Sequence, residues 1–116
     1  MKKFLAIYLG APTGMAEWQR LDDKTRKEKE REGVKGWKSW ATENGRAIVD
    51  LGGPLGKTKR VARSGVSDTK NALAAYTIIE AASHEEASRL FLNHPHFTIF
   101  PGDSVEVMEC LPIPKA

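Results

Sequence analysis

The spacing of hydrophobic and polar residues along the chain predicts a short series of alternating strands and helices. Lys2–Leu9 is apolar on both faces, with Phe4, Ala6 and Tyr8 on one and Leu5, Ile7 and Leu9 on the other. A strand of that kind belongs in the middle of a sheet covered on both sides. Gly10-Ala11-Pro12-Thr13-Gly14 ends it. Met15, Trp18 and Leu21 then recur at helical spacing, and Asp22 or Asp23 offers a cap for a second helical segment running to Asn44-Gly45. The apolar stripe of that segment comes late, at Val34, Trp37, Trp40 and Ala41. Gly33 and Gly36 each weaken a helix by about 1 kcal/mol relative to Ala, which predicts a kink or break between its halves.

Ala47–Leu51 reads as a strand ended by Gly52-Gly53-Pro54, and Thr58–Arg63 as a more polar strand near a sheet edge. In Tyr76–Ala81, Tyr76, Ile78 and Glu80 alternate with Thr77, Ile79 and Ala81. Ser83-His84-Glu85-Glu86 has the form of a capping box. It opens a helix with Ala87, Leu90, Phe91 and His94 on one face, stopped by Pro95. Ser104–Leu111 is the last strand, with Val105, Val107 and Leu111 pointing one way. With one edge strand set aside, the order is βαββαβ, the split βαβ arrangement of ferredoxin-like domains. The expected fold class is therefore α+β, an antiparallel sheet with helices on one face. Such a sheet leaves its other face apolar and bare, so a homodimer packed sheet to sheet is expected.

Composition refines this picture. A chain of 116 residues fits one domain, spanning 1–116, with core enough to fold without disulfide or metal. The single cysteine, Cys110, has no partner for an intramolecular bridge, and the apolar N-terminal run is too short for a signal core or membrane span. A cytoplasmic protein is expected. The net charge is +3, but Arg20–Glu32 holds six basic and five acidic residues, the composition of a solvated helix face. Lys57, Lys59, Arg60 and Arg63 form the better basic cluster, suited either to an anion or to protecting a sheet edge. No RNA- or DNA-binding motif accompanies it, which counts against nucleic acid as a partner.

The ordered set Phe4–Leu9, Met15-Ala16-Glu17-Trp18, Gly53-Pro54-Leu55, Tyr76–Ala81, His94-Pro95-His96-Phe97 and Ser104–Val107 resembles the YCII-related domain family. The likeness is to its branch of small stand-alone proteins akin to the DGPF group. The resemblance implies a dimeric α/β-barrel-like assembly of ferredoxin-like topology. It also implies small-molecule chemistry of the lyase kind, with a histidine–aspartate pair. Neither member of that pair is carried over by identity. No histidine precedes His84, and His94 stands where the family has its aspartate.

The residues themselves suggest the following chemistry. His94 or His96, flanking Pro95, would serve as a general base, since imidazole titrates near neutral pH. Asp50, an acid in an apolar strand, would orient it or bind a substrate hydroxyl; otherwise it lies on the solvent face or pairs with Arg46 or Arg60. Tyr8, Trp37 and Trp40 would line an aromatic pocket or pack in the core, and Arg60 would bind the ligand. Gly52–Thr58 lacks phosphate-loop spacing, because Leu51 stands where the first glycine is required. No ligand set for a metal and no cofactor motif is apparent. The expectation is a domain binding a small organic molecule between sheet and helices, as a cofactor-free lyase or isomerase, or alternatively as a non-catalytic ligand-binding or interaction module.

Overall fold

A computed structural model describes residues 1–115. The chain runs β1 (Lys2–Gly10), α1 (Pro12–Arg20), α2 (Asp23–Glu43), β2 (Ile48–Pro54), β3 (Thr58–Ala62), β4 (Gly65–Thr69), β5 (Leu73–Ala81), α3 (His84–Arg89), α4 (Pro95–Thr98) and β6 (Gly102–Glu109). Four strands form one antiparallel sheet in the order β2-β5-β1-β6. Strands β1 and β2 run the same way with β5 between them, so the helices connecting them make the crossover of a split βαβ unit. The fold is α+β, with helices covering one sheet face. Among the described residues no helix is long and apolar enough to cross a membrane.

Register decides which side chains meet the helices. Phe4, Ala6 and Tyr8 of β1 pair with Ile79, Thr77 and Ala75 of β5, and all six are buried beneath the helices. Leu5, Ile7 and Leu9 point to the opposite face beside Ile78 and Tyr76, and they are only half-buried. Thus β1 is central, as its two-sided pattern predicts, but only one of its faces is covered within the chain. Trp40, Ala87 and Phe91 complete the core from the helical layer.

The second helical segment is one continuous helix, contrary to the expected kink. Asp22 caps it by accepting from the Thr25 backbone N–H. Its glycines are sites of close packing: a Cβ on Gly33 would lie 2.4 Å from the Phe100 ring, and one on Gly36 would press on Ile99 and Pro95. Tertiary contact here outweighs the intrinsic cost of glycine in a helix.

Three other elements differ from expectation. The polar strand β3 does not extend the sheet. It pairs with β4, a strand its polar, glycine-started sequence did not reveal, in a separate hairpin. The helix expected to run to Pro95 ends as α3 at Arg89 and continues through turns. His94 is therefore not at a helix C-terminus but at the N-cap of α4, where its Nδ1 accepts from the His96 N–H. Leu111 lies beyond β6 and is exposed.

Candidate functional site

The chemistry-bearing residues gather where β1, β5 and the bend in β2 meet α2 and the α3–α4 turn. Strand alternation sends Tyr8 and Thr77 to the helix side, where both are fully buried. The Thr77 hydroxyl is 2.8 Å from the Leu51 carbonyl, which can only accept, so Thr77 donates there. Its oxygen then accepts from the Tyr8 hydroxyl at 3.0 Å. Tyr8 has no second proton, so its oxygen accepts from His94 Nε2 at 3.5 Å. The His96 backbone N–H, 3.0 Å from His94 Nδ1, fixes this tautomer. One directed chain thus runs from the His96 amide through His94, Tyr8 and Thr77 to the Leu51 carbonyl. Each buried donor has an acceptor, and no buried side-chain nitrogen or oxygen among the described residues lacks a partner.

The chain holds His94 neutral. Burial, then the nearby His96, pushes its pKa from 6.5 down to about 4. Burial likewise raises the Tyr8 phenol to about 12, opposed by the Thr77 hydrogen bond. His96 is lowered by burial. Hydrogen bonding to the Leu9 backbone, the Asp103 charge and the Ser104 backbone act in the opposite sense. Its Nε2 lies 2.7 Å from the Leu9 carbonyl, and its ring lies flat against Gly102. Aromatic rings enclose the imidazoles: Trp37 and Trp40 meet His94 edge-on at 4.5 and 4.7 Å between centroids. Tyr8 packs on Trp37 at 4.8 Å. The Trp40 indole N–H donates to the Leu90 carbonyl at 2.8 Å.

Beside this cluster lies a cavity of about 320 Å³. Val34, Trp37 and Lys38 of α2 form one wall, Leu51 to Pro54 another, with Ala75 and Phe100 completing it. Gly52 adopts φ +69°, and a Cβ there would fall 2.0 Å from the Tyr76 carbonyl oxygen, so only glycine permits this bend. The lining is apolar apart from backbone groups and Lys38. That volume is near the lower end of ligand pockets. A larger depression of about 560 Å³ runs along α2 at Lys27, Glu30, Arg31, Val34, Lys35 and Lys38. It is an open groove on a single charged helix with no convergent polar groups, and the smaller cavity is the better candidate.

The structure brings together some of the expected residues and separates others. His94 and His96 share the site with Tyr8, Trp37 and Trp40. Only Trp37 of the three aromatics lines the cavity; Tyr8 and Trp40 pack behind it, in the core. Asp50 is a correction. It is exposed, accepts from the Gly52 N–H at 2.9 Å and from the Tyr76 hydroxyl at 3.4 Å, and Tyr76 points away from the helices. Within the chain it lies on the opposite sheet face from the imidazoles and cannot orient either; nor does it pair with Arg46 or Arg60. Arg60 is a second correction, since it sits on the β3–β4 hairpin and not at the cavity. Thr77, Leu51, Ala75 and Phe100 escape the sequence reading. The buried side of β5 and the glycine pair before Pro54 were the signals pointing to the first three, and no sequence signal pointed to Phe100.

No family model matches the chain, and no curated protein matches it. Among solved structures it is similar to 5-chloro-2-hydroxyhydroquinone dehydrochlorinase from Burkholderia phenoliruptrix, in a complex with 2,5-dihydroxybenzoquinone. The match has a TM-score of 0.51 and 17% sequence identity, and it covers 91% of this chain and 90% of that one. At this identity the likeness is one of fold.

Proposed function

We propose that this chain is a YCII-like domain that binds a compact organic molecule, mainly apolar and about one substituted ring in size, in the cavity between α2 and the β2 bend. The observation that carries the reading is the cavity itself. It is apolar, walled by Trp37, floored by Ala75 where a larger residue would fill it, and has one cation, Lys38, at its rim. The fold it shares with a dehydrochlorinase complexed with a dihydroxybenzoquinone supports a ring-shaped ligand.

A second reading, a cofactor-free lyase or isomerase, is favoured by the imidazoles behind Trp37. In that reading His96, not His94, is the base. His94 has Nδ1 occupied by a backbone N–H and Nε2 committed to Tyr8, whereas His96 has only Nε2 committed, to the Leu9 carbonyl, though burial lowers its pKa on balance. His94 then positions Tyr8.

Calorimetric titration with 2,5-dihydroxybenzoquinone and simple phenols tests the binding reading. One saturable site per chain is expected, lost in Ala75→Leu and retained in Asp50→Asn. Equal binding by Ala75→Leu, or no saturable heat from any of these probes, would retire the cavity as the site.

A further inference from the structure

The apolar cavity and the open groove on α2 meet. Val34 and Lys38 line both, so the mouth of the cavity gives directly onto the groove. Inside the cavity Lys38 is the only charged side chain, and no side chain there can accept a hydrogen bond. The groove beyond is lined by Lys27, Arg31, Lys35 and Lys38 with a single acid, Glu30. These four cations recur three or four residues apart, so they form one stripe along the helix. Among the described residues none of them has a carboxylate within ion-pair distance; the one ion pair on α2 joins Arg26 to Asp23. The near-balance of charge along Arg20–Glu32 also stops short of the mouth: from Gly33 to Thr42 the helix carries Lys35 and Lys38 and no acid.

This arrangement separates where a ring and a charge can sit. An ionised group drawn into the apolar cavity would lose water without gaining a partner, which is costly. An acidic group on the ligand therefore belongs outside, at Lys38, while the ring fills the cavity. Between Lys27 and Lys38 the helix advances roughly 16 Å, at about 1.5 Å per residue, so the stripe has room for more than one negative charge. The planar fork of Arg31 suits phosphate geometry. An exposed ion pair is weak alone, but a ring anchored in the cavity holds the charge beside these cations without a second cost of association. With the cavity as the ligand site, on which this reading rests, we infer that the ligand is a doubly charged organic anion: one apolar ring in the cavity, joined to a phosphate-type group held outside it by Lys38, Lys35 and Arg31. A neutral phenol is then an incomplete ligand that fills the cavity alone.

NMR titration at about pH 8, where a phosphate monoester carries about two charges, tests this through the Trp37 indole N–H resonance. Trp37 lines the cavity, whereas Trp18 and Trp40 do not. Phenol, benzoate and phenyl phosphate are titrated separately at about 0.01 M salt. Affinity is expected to rise in that order, phenyl phosphate binding at least about tenfold more tightly than phenol. At about 1 M salt the Debye length falls from about 30 Å to about 3 Å, and the ratio should shrink to within about twofold. Lys38→Gln should collapse the ratio in the same way, and Arg31→Gln with Lys35→Gln should lower it at least about threefold. All three side chains are exposed, and the salt series on the wild type reads the same contribution should a variant misfold.

Equal affinities for phenol and phenyl phosphate, both moving Trp37, would overturn the anion and leave the cavity standing. Movement of Trp37 by none of the three would overturn both. A preference that survives high salt or Lys38→Gln overturns the role of the basic stripe. Inorganic phosphate that moves Trp37 as strongly as phenyl phosphate also overturns the inference, since the ring would then contribute nothing.

Discussion

The buried, neutral His94 makes stability depend on pH in a defined window. In the unfolded chain an imidazole binds a proton below 6.5, whereas in the folded chain His94 resists protonation down to about 4. Between those values the unfolded state holds more protons, so stability falls as pH falls. The loss begins near the unfolded value and is complete near the folded one. From about pH 7.5 to about pH 5 the displacement of this one group amounts to about 2 kcal/mol, a large part of the 5–15 kcal/mol typical of a domain. In urea unfolding that is a midpoint shift of about 1 M. His96 is displaced in the same direction, so the informative comparison is with His94→Gln, which removes one titration and keeps the other. Glutamine can still accept from the His96 N–H. The wild type should lose about 2 kcal/mol more than the variant over this interval, read from midpoints at several pH values above the carboxylate range. Parallel curves for the two proteins would refute the buried neutral imidazole and the directed hydrogen-bond chain built on it.

Two further substitutions probe the same site. Tyr8→Phe leaves His94 Nε2–H and the Thr77 oxygen without Tyr8, and should destabilise by about 1–3 kcal/mol in chemical unfolding; a change within about 0.5 kcal/mol would mean that the link contributes nothing. Gly102→Ala would set a methyl 2.2 Å from His96 Nε2, so the ring must leave and its bond to Leu9 must break. A loss of about 1–3 kcal/mol is expected, together with a changed His96 imidazole resonance by NMR; an unaltered resonance would show that the ring does not rest on this glycine.

The local rhythm of the sequence determined the parts whose environment is repetitive. Phe4–Leu9 and Tyr76–Ala81 announce themselves as strands because alternation follows from the two faces of a pleat, and β1 and β5 are the two interior strands. Asp22 and Ser83 mark helix starts because capping is a contact between near neighbours, and both side chains accept the expected backbone N–H. The two-sided apolar strand likewise placed β1 inside a sheet. Other features depend on residues distant in sequence. Gly33 reads as a helix weakener until Phe100 is seen to occupy the space its missing side chain leaves. Asp50 and His94 both read as site residues, yet pairing register and the bulges of β2 send them to opposite faces. Arg60 reads as a ligand contact, but its strand pairs with β4 and leaves the sheet. The imidazole cluster was legible only as two histidines around a proline. That both are buried, that His94 caps the helix following it, and that Tyr8 and Thr77 complete its hydrogen bonds were decided by tertiary structure. Burial and hydrogen-bond direction arise only when separate strands and turns enclose the same few atoms.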